Sequence, residues 1–170
     1  MLKTFKKVQQ GFTIIELLIV IAIIAILAGL VLNNFQGAQA KARDTQRITK
    51  VNALHTKLEE FYNEAGGYPA SANADPNFPG MDSKANTDAR GGNLANTVVT
   101  DNAAMLAAAA PTSGSGNEFK YITYPTGCTL ALSSGTYSGI SCTGYRLMTC
   151  IERATATVTS PYTKLGLQNP

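Results

Sequence analysis

Residues 11–32 read GFTIIELLIVIAIIAILAGLVL. From Phe12 to Leu32 only Thr13, Glu16 and Gly29 interrupt the apolar character. As an α-helix rising ~1.5 Å per residue, this run would cover ~31 Å, about the hydrocarbon thickness of a bilayer. The rest of the chain is read as what this segment carries across a membrane or buries in an assembly.

On its N-terminal side lies a short basic leader, residues 1–11, with Lys3, Lys6 and Lys7 and no acid. The positive-inside rule assigns this end to the cytoplasm. The chain's formal charge of +3 is therefore local, because the other residues carry eleven bases and eleven acids. A neutral body gives no electrostatic case for nucleic-acid binding. Three readings compete for the first 40 residues. One is a secretory signal ending at Ala38-Gln39-Ala40, for which the apolar run is too long. The second is a plain membrane anchor, which leaves Glu16 unexplained at a cost of ~3 kcal/mol in hydrocarbon. The third is a signal cut between the basic leader and the apolar run.

On the C-terminal side no Pro interrupts the chain before Pro69. Asn33-Asn34 and Gly37 weaken the helix locally. Beyond Ala38, Ile48, Val51, Leu54, Leu58, Phe61, Tyr62 and Ala65 recur at helical spacing and make one apolar face. Arg43, Asp44, Arg47, Lys50, Lys57 and Glu60 fall mostly elsewhere, with Asp44–Arg47 a surface pair worth a few tenths of a kcal/mol. Gly66-Gly67 and then Pro69 end the helix. A single helix from Phe12 to Ala65 would be ~81 Å long if straight. His55 has no partner cluster and reads as a helix-surface or domain-edge residue, with Glu59 one turn on.

Residues 66–118 read as a long irregular connection containing a short capped helix near 102–110, opened by Thr100-Asp101-Asn102. Asp75, Asp82, Asp88 and Asp101 do not have calcium-loop spacing and read as solvated loop charges. From Phe119 the pattern becomes β: 119–124, 128–132, 142–151 and 154–159, close enough in sequence to predict an antiparallel sheet over 119–170. The fold class is therefore α+β, a long N-terminal helical spine packed on a small C-terminal antiparallel sheet.

The three cysteines are Cys128, Cys142 and Cys150. In an oxidising compartment one bridge forms and one thiol is left over. Cys142 and Cys150 would lie ~27 Å apart at the ends of one extended strand, too far for a bridge. Cys128–Cys142 is the preferred pair and Cys128–Cys150 the alternative.

The stretch Lys6-Lys7, then Gly11-Phe12-Thr13-Ile14-Ile15-Glu16-Leu17-Leu18-Ile19-Val20, resembles the junction of type IV prepilins. The Glu64-Ala65-Gly66-Gly67-Tyr68-Pro69 helix end and the Gly144-Tyr145-Arg146-Leu147 strand are also pilin-like. The resemblance implies cleavage between Gly11 and Phe12 by a prepilin peptidase, which also N-methylates Phe12. Phe12–Leu32 then stays on the mature chain as membrane anchor and filament core, 33–65 is the amphipathic half of the same helix, and Thr13 and Glu16 serve assembly. A Phe12 ammonium lies one helical turn from Glu16, and in a water-poor core a mispaired register would leave a buried charge unpaired. Where many family members have Gly and Pro in the first helix, this chain has Ala25 and Asn33, with Gly29 between.

The family implies a structural subunit of a type IV pilus supporting adhesion, motility or DNA uptake. Its partners would be other copies of itself in a helical homopolymer, the membrane, the peptidase/methyltransferase, an assembly ATPase and a platform protein, and host or cell surfaces or DNA. The subunit would sit in the cytoplasmic membrane with its N-terminus inside, then in an extracellular filament. No catalytic residues, cofactor or metal site are read from the sequence, because no Ser, Cys or His has a cooperating partner. Two other readings remain: a type II secretion pseudopilin or minor pilin, and a membrane-anchored binding module that never polymerises.

Overall fold

The structure, a computed structural model, describes residues 11–72, 78, 81–112, 114, 118–155 and 159–168. Lys3, Lys6, Lys7, Asp75, Pro76, Pro79 and Gly80 lie outside the described residues, as do positions 156–158 of the strand expected at 154–159. By compactness the chain divides into two units, Met1–Gln39 and Ala40–Pro170.

Helix α1 runs over Ile14–Ala65. It starts two residues later than the apolar run, because Thr13 takes the N-cap position. The Thr13 hydroxyl accepts the Glu16 N–H at 3.3 Å, and the Glu16 carboxylate accepts the Thr13 N–H at 2.9 Å. This reciprocal capping box satisfies two backbone donors that a helix end leaves unpaired. At the other end Gly66 adopts a left-handed φ of 74° and its N–H donates to Tyr62 O at 2.8 Å, closing the last turn.

In the first unit the helix buries no described side chain. Every large apolar side chain from Phe12 to Phe35 is exposed. In the second unit the helix is amphipathic, and Val51, Leu54, Leu58 and Phe61 are buried in the main core.

The main sheet has the order β1-β2-β5-β6, with strands β1 (Leu94–Val98), β2 (Phe119–Tyr124), β5 (Gly144–Thr149) and β6 (Tyr162–Leu165). Between β2 and β5 the chain forms a separate hairpin, β3 (Ala131–Ser133) and β4 (Thr136–Ser138). Its two-residue turn places both Ser134 and Gly135 at positive φ, the geometry that matches strand twist. Phe119 and Tyr121 of β2, with Tyr145 and Leu147 of β5, pack in the same core as the helix residues. The alternate residues, Ile122, Tyr124 and Met148, pack with Met105 of a short helix α2 (Asn102–Ala107). Side chains alternate across a strand, so a sheet covered on both faces reads as nearly continuous apolar sequence.

The sequence reading needs four corrections here. The 66–118 connection is not wholly irregular. It holds a 3-10 turn at Ser83–Asn86, and it supplies β1, which runs parallel to β2. β1 reads Leu-Ala-Asn-Thr-Val and buries only one end, so its sequence lacks an alternating signal. The sheet is thus antiparallel-rich but mixed. The second strand begins at Ala131 rather than Cys128, because the Thr129 and Leu130 N–H groups both donate to Ile140 O at 2.9 Å instead of entering a ladder. The third is confined to Gly144–Thr149. The last strand is Tyr162–Leu165. Residues 154, 155 and 159 are not in a strand, and the chain joins β5 only after Pro161.

Candidate functional site

The N-terminal unit presents an apolar helix surface whose one ionised side chain, Glu16, is already partnered. Besides the backbone bond, the Thr13 hydroxyl donates to Glu16 Oε2 at 2.6 Å. The carboxylate is therefore held at the first turn by its own cap, where negative charge is also favoured by the helix dipole. Phe12 and Gly11 lie immediately before the helix and are exposed. Both Thr13 bonds fall on Glu16 Oε2, so the carboxylate is capped but has no counter-ion among the described residues, and the apolar surface around it is uncovered.

The second unit carries a cluster of charges at the start of its helical segment. Arg47 is the centre. Its Nε donates to Asp88 Oδ1 at 2.6 Å and its Nη2 to Asp88 Oδ2 at 3.0 Å, while Nη1 reaches Glu152 Oε1 at 2.8 Å and Asp44 Oδ1 at 3.1 Å. Arg43 grips Glu152 through two bonds, at 3.0 and 2.7 Å, and Arg90 adds a third at 2.8 Å. Asp44 accepts the backbone N–H groups of Glu152 and Arg153. Three guanidinium groups and three carboxylates thus tie one helix turn to the connecting loop and to the segment after β5. The Arg43 guanidinium, with Arg47 behind it, holds the Glu152 carboxyl down at about 2 against its partial burial. Burial works against the Asp88 charge, but Arg47 and the Arg90 N–H keep its carboxyl below the ordinary range.

Two sequence expectations are overturned by this cluster. Asp44–Arg47 is not a surface pair, since the Arg47 side chain is 0% exposed. Asp88 is not a solvated loop charge, since it too is buried. Arg47 lies four residues before Val51 and seven before Leu54, so the helical period itself puts it on the apolar face rather than elsewhere. The period does not reveal that the loop around Asp88 folds over it.

A second polar node closes the C-terminus onto the sheet and helix. Glu59 accepts from the Tyr145 hydroxyl at 3.0 Å, the Tyr68 hydroxyl at 3.0 Å and the Leu167 N–H at 3.2 Å. Because the Tyr145 hydroxyl donates to Glu59, its oxygen is left to accept from His55 Nδ1, 2.6 Å away. His55 is 3.9 Å from Glu59 Oε1, and burial holds its imidazole below the usual range. Burial, with the negative Glu59 alongside, pushes both tyrosine hydroxyls well up. All these groups are engaged in structural bonds.

Cys128 and Cys142 are joined by a disulfide, and Cys150 is a buried free thiol. The bridge encloses the β3–β4 hairpin. Within it Gly139 has φ 110°, and a Cβ there would sit 2.6 Å from Thr129 O. Only glycine lets the returning strand pass so close. Among the described residues no group of three His, Cys, Asp or Glu side chains is placed to hold a metal ion.

The family model described as a prokaryotic N-terminal methylation motif matches residues 6–32. Over 69 residues the chain is 41% identical to the type IV major pilin protein PilA of Myxococcus xanthus, covering 41% of this chain and 31% of that protein. It is 41% identical over 66 residues to a fimbrial protein of Pseudomonas aeruginosa, covering 39% of this chain and 43% of the other. It is 35% identical over 66 residues to the type II secretion system core protein G of Aeromonas hydrophila, covering 39% and 46%. The chain spans less than half the length of these curated relatives. No solved structure matches it. The chain thus carries this motif and, over 66–69 residues, is similar to type IV pilins and to a type II secretion core protein. None of the three names describes an enzyme.

Proposed function

We propose that the chain is a structural subunit of a type IV pilus. In this reading it is made as a precursor, cut between Gly11 and Phe12, N-methylated on Phe12, and polymerised through its N-terminal helix. Before assembly it spans the cytoplasmic membrane once, with Lys3, Lys6 and Lys7 inside. An assembly ATPase and platform protein would then move it into an extracellular homopolymer. The observation that carries this is the exposed apolar face from Phe12 to Phe35, interrupted by a single acid at one end. Such a face must be covered, and a lone carboxylate within it makes register matter because an unpaired charge in an apolar assembly is costly.

N-terminal sequencing of the mature chain tests the processing. The expected first residue is N-methylated Phe12, and a chain starting at Lys41 would refute it. Glu16→Ala tests assembly: insertion into membranes is retained while filament yield collapses. Unchanged filaments would sink the role given to Glu16.

A pseudopilin of a type II secretion system is the second reading, supported by the similarity to core protein G of Aeromonas hydrophila. The Cys128–Cys142 bridge favours the pilin, because the major pseudopilins usually lack disulfides. Deletion separates them: loss of surface filaments supports the pilin, and loss of enzyme export with filaments intact supports the pseudopilin.

A further inference from the structure

A pocket of about 480 Å³ opens beside the charge cluster, lined by Lys41, Asp44, Thr45, Ile48, Ile151 and Arg153 among others. Its floor is apolar, formed by the half-buried Ile48 and the buried Ile151. Its one acid is already used, because both Asp44 oxygens accept the backbone N–H groups of Glu152 and Arg153, at 3.0 and 2.9 Å. Its two cations are not. Lys41 and Arg153 are exposed, and neither is paired with a carboxylate among the described residues. The pocket therefore offers two exposed positive charges beside an apolar lining, which is complementary to an anionic amphiphile rather than to a neutral lipid or a free inorganic ion.

Lys41 follows Leu32, the end of the apolar run, by nine residues of the same helix. Long basic side chains commonly lay their methylenes on apolar surface and send the charge to the headgroup layer.

We propose that this pocket holds the phosphate headgroup of an anionic phospholipid. Lys41 and Arg153 bind the phosphate, and Ile48 and Ile151 cover the first carbons of an acyl chain. The inference rests on the membrane-bound stage of the reading above, and it adds a lipid-class preference that the apolar helix alone would not confer.

The test uses the full chain in zwitterionic detergent micelles, with the Ile methyl groups followed by NMR. Short-chain dihexanoyl phosphatidylglycerol should shift the Ile48 and Ile151 methyls saturably. Dihexanoyl phosphatidylcholine should need at least about tenfold more, since each near-surface Lys or Arg adds attraction to anionic lipid. Lys41→Gln with Arg153→Gln should abolish the difference. Equal response to the two lipids, an unaffected double variant, or the same shifts produced by inorganic phosphate alone would overturn the proposal. So would shifts that depend on protein concentration rather than lipid, which would assign the pocket to a second copy of the chain. Flotation of the same chain with vesicles separates the two readings. Flotation without any lipid-specific shift overturns the pocket and keeps the membrane anchor. A lipid-specific shift without flotation overturns the anchor and keeps the pocket.

Discussion

Asp88 meets Arg47, forty-one positions earlier in the chain, through two parallel hydrogen bonds at 2.6 and 3.0 Å, and neither side chain is exposed. The pair fastens the connecting loop to the helix. Its geometry is the bidentate fork that makes arginine the preferred partner of a carboxylate away from water.

Asp88→Ala removes one half of that pair and leaves the buried guanidinium with Glu152 and Asp44 alone. The expected loss is about 3–5 kcal/mol. Arg47→Met combined with Asp88→Leu should recover part of it, because Glu152 keeps Arg43 and Arg90 and Asp44 keeps only the backbone N–H groups of Glu152 and Arg153. Denaturant titration of the full chain in micelles reads both, and a double variant no better than Asp88→Ala would contradict the assignment.

Acid should loosen the same cluster. Glu152 has a folded value of about 2, against an ordinary ~4.3 in the unfolded chain, and Asp88 is shifted in the same direction. A depressed carboxyl stabilises the fold fully above the unfolded value and loses that contribution as pH falls toward the folded one. The melting temperature should therefore fall steadily between about pH 4.5 and pH 2. Glu152→Gln should be less stable at neutral pH and show a flatter slope across that window.

The disulfide closes a loop with a sequence separation of 14. Replacing both Cys128 and Cys142 by Ser should cost about 3 kcal/mol, chiefly by freeing the unfolded chain. Cys150 is buried and its thiol is pushed up by that burial. It should therefore resist iodoacetamide in the folded protein and react on unfolding. Rapid labelling under native conditions would count against the placement.

Glu59→Ala strips the acceptor from Tyr145, Tyr68 and the Leu167 N–H together. Hydrogen bonds to a charged group are worth about 1.5–3 kcal/mol each, but these share one carboxylate, so a loss of roughly 2–3 kcal/mol is expected. Amide exchange at Leu167 should accelerate more than exchange in β2. Equal acceleration everywhere would show that Glu59 supports the core rather than the C-terminal segment.

The helix, its glycine stop and β2 could be read directly, because each depends on neighbours in sequence. The period of Val51, Leu54, Leu58 and Phe61 marks one helix face wherever the rest of the chain goes. The charge cluster could not be read in this way. Arg47 falls in phase with Val51 and Leu54, but Asp88 and Glu152 look like solvated charges in their own segments, and only the folding of the loop over the helix brings them to it. β1 was hidden for a related reason. Its partner β2 lies some twenty residues further on, and an edge strand of Leu-Ala-Asn-Thr-Val need not alternate.

By itself, then, the sequence determined the α+β class, the apolar N-terminal helix with its single acid, and the resemblance carried by Gly11 to Val20. These are local: hydropathy, period and a short motif need no knowledge of contacts. The tertiary structure alone decided which charges are buried, which strand fills the sheet edge, and that Lys41 and Arg153 share one apolar pocket. Each of these depends on chain segments far apart in sequence becoming neighbours. Desolvation, which sets the strength of a charge pair, is a property of that neighbourhood rather than of any residue in it.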